Sequence, residues 1–239
     1  MKSTQKIIPS LSSNSVYLGL LLALVGGFLD AYTFISRDGV FANAQTGNLV
    51  LLAINLSYGN WKNAIDYILP IIAFILGVLV AETVKRPRLR EFLYSYRRSI
   101  LLLECAVLIL VGLLPSSVPN LVITVCISFV SSLQISTFTH LDKWAYNSTM
   151  TTGNIRIASQ AAYTAFINHD KEAKTKFKEF LVIILSFSFG ALFGSFATRY
   201  IGNQSVWIAA GVLLIAIILY HKDKGYFRKN YVKWYKKRA

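Results

Sequence analysis

A short polar string occurs twice in this chain, each time after a long apolar run. The two copies read Phe41-Ala42-Asn43-Ala44-Gln45-Thr46-Gly47-Asn48 and Tyr146-Asn147-Ser148-Thr149-Met150-Thr151-Thr152-Gly153-Asn154. A short helical pattern follows each copy, over 49–56 and 155–166. Repeated polar interruptions between apolar segments of membrane length are typical of transporters and channels that are built from an internal repeat.

Composition indicates a membrane protein. Hydrophobic residues make up 54% of the sequence and charged residues only 15%, whereas soluble domains contain about 25% charged residues. The net charge of +14 does not predict binding to nucleic acid, because the basic residues collect between apolar stretches, as they do in cytoplasmic loops. We therefore expect a polytopic protein that contacts the lipid bilayer and no nucleic acid.

The lengths of the apolar segments predict the fold class. Segments that can cross a bilayer core of about 30 Å occur at 15–35, 64–84, 100–114, 121–138, 180–197 and 206–220. The two patterns after the polar strings are too short to cross at about 1.5 Å per residue. The sequence thus predicts an all-α integral membrane protein with six transmembrane helices and two re-entrant half-helices.

The distribution of lysine and arginine predicts the orientation of these helices. Basic residues are frequent in the N-terminal tail, in the loop 85–98, in the segment 171–178 and after His221, and they are rare in 57–63, 114–120 and 199–204. Basic loops stay in the cytoplasm, so both termini are expected there and the two halves run in opposite orientation, as an inverted repeat. The predicted divisions are a cytoplasmic N-terminal tail (1–14), a first membrane repeat (15–116), a second membrane repeat (117–221) and a basic cytoplasmic tail (222–239).

A shift of 106 residues relates the two halves. It superimposes Thr46-Gly47-Asn48 on Thr152-Gly153-Asn154 and also places Thr33 on Thr139. The similarity is weak elsewhere, so the charge distribution is the independent support for the repeat.

The polar strings predict a binding site. Backbone that leaves helical geometry inside a bilayer needs hydrogen-bond partners from protein or from a wet cavity, and a helix N-terminus favours an anion or a carbonyl group. If the two strings meet at the midplane, they frame one site; alternatively, their polar residues only cap two interfacial helices. The predicted substrate-binding residues are Asp30, Asn43, Gln45, Thr46, Gly47, Asn48, Gln134, Thr151, Thr152, Gly153, Asn154 and Arg156.

Two charged residues within the apolar region suggest a pair. Asp30 lies in the first span and Arg156 in the second half-helix, and a charge at membrane depth is costly unless it is paired, protonated or hydrated. An ion pair between them is one hypothesis, and water around Asp30 with a snorkelling Arg156 is the other. Glu82 and Glu104 are expected near the cytoplasmic ends of their spans, solvated or paired with the basic loop, with the lining of an inner vestibule as the alternative.

The other motifs predict packing and no chemistry. Gly190 and Gly194 form a small-residue face for close helix contact, within the protomer or between two copies as a possible homodimer. Cys105 and Cys126 are expected to be free buried thiols. The sequence has no metal-binding cluster, nucleophile elbow or phosphate-binding loop. We therefore expect no enzymatic activity, no metal and no cofactor.

The order of several motifs resembles the YoaK family of bacterial membrane proteins. The residues that carry the resemblance are Gly26-Gly27-Phe28-Leu29-Asp30-Ala31, Thr46-Gly47-Asn48, Leu133-Gln134 and Thr151-Thr152-Gly153. The family is one of unknown function, and the resemblance implies a multi-pass protein of the bacterial inner membrane. It brings no established substrate.

Taken together, these features predict a transporter or channel-like protein for a small solute or an anion, without a nucleotide motor. The site would lie between the N-termini of the two half-helices. The alternative is a non-transporting membrane scaffold or assembly factor that uses the basic tail 222–239 to dock on anionic lipid or a cytoplasmic partner.

Overall fold

The structure is a computed structural model that describes residues 15–86, 96–115 and 117–220. Helices dominate it, and one short antiparallel hairpin is present, with His140 opposite Ala145 and Leu141 opposite Trp144. In chain order the elements are α1 Val16–Ser36, α2 Gln45–Ser57, α3 Trp61–Val84, α4 Tyr96–Leu113, α5 Asn120–Thr137, β1 His140–Leu141, β2 Trp144–Ala145, α6 Thr151–Ile167, α7 Lys171–Ile201, a 3₁₀ turn Gly202–Ser205 and α8 over 206–220. Both predicted tails, 1–14 and 222–239, lie outside the described residues, as does most of the basic loop 85–98.

Long apolar helices confirm that the chain is a multi-pass, helical membrane protein. Within the described residues, four helical stretches are long and apolar enough to span a bilayer: Val16–Ser36, Trp61–Val84, Asn120–Thr137 and the run Lys171–Tyr220. The last run has 50 residues, about 75 Å if straight. Gly202 interrupts it with a φ of 71°.

The course of the chain after Gly202 is a helical hairpin. Phe189 and Phe193 of α7 line a cavity of about 200 Å³ together with Ile208 and Val212 of α8, so α8 returns alongside α7.

The boundaries of three helices differ from those predicted. The polar strings themselves supply the first turns of α2 and α6, which therefore begin at Gln45 and Thr151 and not at 49 and 155. α7 begins at Lys171 and not at 180, because Asp170 caps its N-terminus by accepting hydrogen bonds from the backbone N–H groups of Glu172 and Ala173 at 2.7 and 3.3 Å.

Helices α1 and α7 pack side by side in parallel. Ser186 Oγ donates to the carbonyl oxygen of Leu20 at 2.8 Å. One turn further along both helices, a Cβ on Gly190 would overlap the backbone of Leu24, and another turn on, Gly194 meets Phe28. The small-residue face is therefore used within the protomer, where it lets two backbones approach closely.

The other long helices pair in two further ways. Gly77 of α3 packs against Phe129 and Ser132 of α5, and Ala81, one turn later, clusters with Leu133, so α3 and α5 are parallel. Helices α4 and α8 are antiparallel. Cys105 Sγ lies 3.6 Å from the carbonyl oxygen of Ala210, whereas Trp207 Nε1 donates to the carbonyl oxygen of Ile109 at 3.1 Å.

The short helices pack on the long helices that follow them, α2 on α3 and α6 on α7. If α1 to α4 correspond to α5 to α8, the contact between α1 and α7 corresponds to the contact between α5 and α3. The contact between α2 and α3 corresponds in the same way to the contact between α6 and α7.

The hairpin β1–β2 lies against the start of α7. The Trp144 ring is flanked by the Lys143 and Lys176 ammonium groups, 4.8 and 4.4 Å from its centroid. Lys143 also pairs with Glu172 at 2.6 Å, and this hydrogen bond raises the pKa of the lysine.

Two side chains are not where the sequence predicted them. Cys105 is buried, but Cys126 is exposed on α5, because it faces away from the helices that cover the rest of α5. Glu82 is exposed and pairs with Lys85 at 2.5 Å. Glu104, by contrast, has 0% exposure, and neither of its carboxyl oxygens has a hydrogen-bond partner among the described residues. The reason is that Glu104 lies near the middle of α4, on the side that packs against α5.

We predict that Gly190→Ala destabilises the fold by about 1–3 kcal/mol, because the added methyl group would push α7 away from the Leu24 backbone of α1. The measurement is the thermal unfolding midpoint of the purified protein in detergent. Gly211→Ala is the matched control, since Gly211 is also helical and no neighbouring atom lies within 4 Å of the point that an added Cβ would occupy. An equal midpoint for the two variants would contradict the packing described for α1 and α7.

Candidate functional site

The first interruption of the helical structure follows α1 and runs back along it. The backbone N–H of Ala42 donates to Thr33 Oγ1 at 3.0 Å. The N–H groups of Asn43 and Ala44 both donate to Asp30 Oδ1, at 2.7 and 3.3 Å. Asp30, which is 5% exposed, therefore satisfies two N–H groups of a buried, non-helical backbone segment.

This segment reaches the middle of α1. Asn43 Nδ2 donates to the carbonyl oxygen of Gly26 at 3.2 Å, and Gly26 is the central residue of the 21-residue helix Val16–Ser36. The segment thus runs back along about half the length of α1 before α2 begins.

An asparagine closes the loop onto the helix that follows it. Asn48 Oδ1 accepts from the N–H of Phe41 at 2.9 Å, and Asn48 Nδ2 donates to the carbonyl oxygen of Phe41 at 2.8 Å. Both polar groups of one residue's backbone are therefore satisfied by one buried side chain. We call this arrangement an asparagine clasp.

The second interruption contains the same clasp. Asn154 Nδ2 donates to the carbonyl oxygen of Asn147 at 2.6 Å, and Asn154 Oδ1 accepts from the N–H of Asn147 at 3.5 Å. Positions 147 and 154 lie 106 residues after 41 and 48, the same shift that superimposes the two Thr-Gly-Asn strings. Asn147 Oδ1 also accepts from the backbone N–H groups of Thr149 and Met150, at 3.0 and 3.1 Å.

The two interruptions meet at Gly26. Asn43 of the first binds the Gly26 carbonyl group, and Thr149 of the second lies so close that its Cγ2 would overlap a Cβ on Gly26. Asn43 and Thr149 are related by the shift of 106 residues. Equivalent positions of the two polar strings therefore contact the same residue at the middle of α1.

Several buried polar atoms at this junction have no hydrogen-bond partner in the described part of the chain. They are Asp30 Oδ2, Asn43 Oδ1 and Ser148 Oγ. Buried polar atoms without partners are uncommon in proteins and point to water or a ligand. Gln134 Nε2, on α5, is also buried and without a partner among the described residues.

The predicted site residues fall into a buried group and a surface group. Asp30, Asn43, Asn48, Gln134 and Asn154 are buried. Gln45, Gly47 and Thr151 are partly buried, and Thr46, Thr152, Gly153 and Arg156 are exposed. In both Thr-Gly-Asn strings the asparagine thus turns back into the protein, while the threonine lies at the surface.

The hypothesis of an ion pair between Asp30 and Arg156 is wrong. Arg156 is exposed, and the carboxyl group of Asp30 binds the first interruption instead. Ion pairs between described side chains include Lys85 with Glu82 and Lys143 with Glu172, and both of these lie outside the junction.

Sequence reasoning missed a buried arginine at the end of α1. Arg37 is 3% exposed, and its Nη1 donates to Asn120 Oδ1 at 2.9 Å while its Nη2 donates to Tyr32 OH at 2.7 Å. Asn120 in turn donates to Asp38 Oδ2 at 2.9 Å. A signal was available, because Arg37 follows an apolar span on the side that the distribution of basic residues assigns to the exterior.

Comparison with known proteins identifies the family. The sequence matches the family described as a protein of unknown function, DUF1275, over residues 18–219. The chain belongs to the DUF1275 family. YoaK-like proteins are in this family, so the resemblance noted in the sequence is confirmed. Neither a curated protein nor a solved structure matches the chain.

Loss of either clasp should destabilise this DUF1275 protein. Asn48→Ala leaves both backbone groups of Phe41 without their partner, and Asn154→Ala does the same to Asn147. A buried unpaired polar group costs about 1–3 kcal/mol, so each variant should unfold at a clearly lower temperature in detergent.

The matched controls for the clasp variants are Thr46→Ala and Thr152→Ala, because both threonines are exposed members of the same strings. Their unfolding midpoints should stay close to that of the wild type. If the asparagine and threonine variants lose the same stability, the clasps do not hold the interruptions.

Proposed function

We propose that this DUF1275 protein is a transporter or channel-like protein for a small solute, with its binding site where the two polar strings meet. In this proposal α1, α3, α4, α5, α7 and α8 are the six transmembrane helices, and α2 and α6 are re-entrant half-helices. The 13 residues of α2 and the 17 residues of α6 would extend about 20 and 26 Å. Each is too short for a full crossing and long enough to return from the midplane.

Three observations support an inverted repeat. Helix α1 of the first half packs on α7 of the second half, and their equivalents α5 and α3 also pack on each other. The directions fit, since those pairs are parallel while α4 and α8 are antiparallel. The asparagine clasp recurs after 106 residues.

The observation that carries the proposal is the contact of Asn43 and Thr149 with Gly26. Discontinuous helices that face each other at the midplane are the usual way in which transporters of this architecture form a site. Capping of two interfacial helices would not require equivalent residues of both strings to meet at the centre of α1.

The free atoms at the junction favour a particular kind of solute. Asp30 Oδ2 and Asn43 Oδ1 are hydrogen-bond acceptors, and Ser148 Oγ can accept or donate. Such a set suits a small neutral solute with N–H or O–H donors better than an anion. Arg37, the buried cation at the end of α1, lies two turns beyond Asp30 and is held by Asn120 and Tyr32.

The proposed location is the cytoplasmic membrane of a bacterium, with both termini in the cytoplasm. The resemblance to YoaK-like proteins and the distribution of basic residues support it. The proposal assigns no chemical reaction to the chain. The alternative role as a scaffold depends on the basic tail 222–239, which lies outside the described residues.

The inverted topology predicts that the loops after α2 and α6 lie on opposite sides of the membrane. Tyr58→Cys and His169→Cys place a thiol in each loop, and Cys126→Ser removes the exposed native thiol. In intact cells a membrane-impermeant maleimide should label the first variant and spare the second until the membrane is opened. Labelling of both variants from the same side would exclude the inverted repeat.

Solute passage is tested by reconstituting the purified protein in liposomes and measuring the flux of neutral hydrogen-bonding solutes, nucleobases, amino acids and anions. For a solute that moves, Ser148→Ala should raise the apparent KM about tenfold, equivalent to about 1.4 kcal/mol. The Ser148 hydroxyl group has no partner within the described protein, so its removal affects the solute and not the fold.

Ser159→Ala is the control for the flux experiment, because Ser159 is exposed on α6 and its hydroxyl group donates to Ile155 of the same helix. The control should transport as the wild type does. Flux of no solute above that of protein-free liposomes would refute the transporter.

A further inference from the structure

A carboxyl group that the proposed site does not use is enclosed near the middle of α4. Glu104 has 0% exposure, and neither Oε1 nor Oε2 has a hydrogen-bond partner among the described residues. Its position contrasts with that of Asp30, whose Oδ1 accepts from two backbone N–H groups. Two backbone N–H groups thus bind the Asp30 carboxyl group, whereas the polar neighbour of Glu104 is the hydroxyl group of Ser131.

The surroundings of Glu104 contain hydroxyl groups and no partner charge. Ser131 of α5 is its polar neighbour. Ser128, one turn earlier on α5, is also buried, and its hydroxyl group has no partner in the described part of the chain.

No described residue of α5 or of α8 is charged. On α4 itself Cys105 is adjacent and Arg97 and Arg98 lie in the first turn. The carboxyl groups of the neighbouring helices are Asp30 of α1, Asp66 near the start of α3 and the exposed Glu82 near its end.

These surroundings fit a proton better than a metal cation. A buried carboxylate without donors or a counter-ion is strongly disfavoured in an apolar interior. A hard cation such as Ca²⁺ requires about six or more oxygen ligands, and the facing helix offers the hydroxyl groups of Ser128 and Ser131. A proton needs no additional space, and the resulting O–H group can donate to Ser131 Oγ.

The location of Glu104 gives such a proton a role. Glu104 belongs to the first half of the chain and Ser131 to the second, so their contact crosses the boundary between the halves. Cys105, the next residue, contacts Ala210 of the second half. Movement of one half against the other would separate or join these groups.

We propose that Glu104 is a proton-binding site at the boundary between the two halves, and that binding and release of this proton drive the passage of solute. The proton-binding site does not depend on the proposed transport function, whereas the coupling to solute passage rests on it. In the protonated state Glu104 donates to Ser131 and the halves stay in contact; when the proton leaves, the carboxylate must move toward water.

The proton-binding site is tested without any solute by infrared difference spectroscopy between acidic and alkaline buffer, on the protein in lipid nanodiscs. The wild type should show a C=O stretching band of a protonated carboxyl group that Glu104→Gln lacks. Glutamine has nearly the shape of protonated glutamic acid, and Glu104→Asp, which should keep a shifted band, serves if the glutamine variant does not fold. Glu82→Gln is the matched control and should keep the full band.

A wild-type spectrum without this band, or an unchanged band in Glu104→Gln, would overturn the proton site. In liposomes with an imposed pH gradient, Glu104→Gln should lose the response of solute flux to the gradient, whereas Glu82→Gln should retain it. A retained response in Glu104→Gln would overturn the coupling. If the wild type moves no solute at all, the transport proposal fails, and the infrared result still decides whether Glu104 binds a proton.

Discussion

Backbone polar groups that are buried outside a helix must find hydrogen-bond partners within the protein, and both interruptions of the chain meet this requirement. An unsatisfied N–H or C=O group costs several kcal/mol in lipid. The backbone of the first interruption is hydrogen-bonded by Asp30 and Thr33 of α1 and by Asn48 of the polar string itself. The second is held by Asn147 and Asn154, which both belong to the polar string itself.

A side-chain atom that is hydrogen-bonded to the backbone is not available to bind a solute. Asn48 and Asn154 use both the oxygen and the nitrogen of their side-chain amides in the clasps, so we assign them to holding the site and not to binding a solute. Asp30 divides its two oxygens, since Oδ1 binds the backbone and Oδ2 has no partner among the described residues. A solute at this junction would therefore contact the few buried polar atoms that the backbone leaves without a partner.

Sequence reasoning predicted the parts of this arrangement that depend on local pattern. The membrane class, the approximate helix positions and the two polar interruptions follow from runs of apolar residues and from the repeated Thr-Gly-Asn string. It could not predict which atoms of the string face inward, because this depends on where the first helical turn begins. Glu104 was predicted in the wrong place and Arg37 was overlooked. Both are buried against α5, whose contacts with them could not be read from the local sequence. The partner of Gly190 could not be chosen either, as a small-residue face fits any helix of suitable shape.

The two polar interruptions share the asparagine clasp, but the charged residues around them differ between the halves. The position equivalent to Asp30 is Ser136, and the position equivalent to Thr33 is Thr139, whose hydroxyl group pairs with His140 and not with the second interruption. The position equivalent to Glu104 is Ala210. Both carboxyl groups that are buried in the described part of the chain therefore belong to the first half. In the proposed transporter, an exactly symmetric repeat would give the inward-open and outward-open states equal energies, whereas carboxyl groups in one half only would make the two states differ in energy. Proton uptake would then favour one state over the other, which is the condition for a proton gradient to give transport a direction.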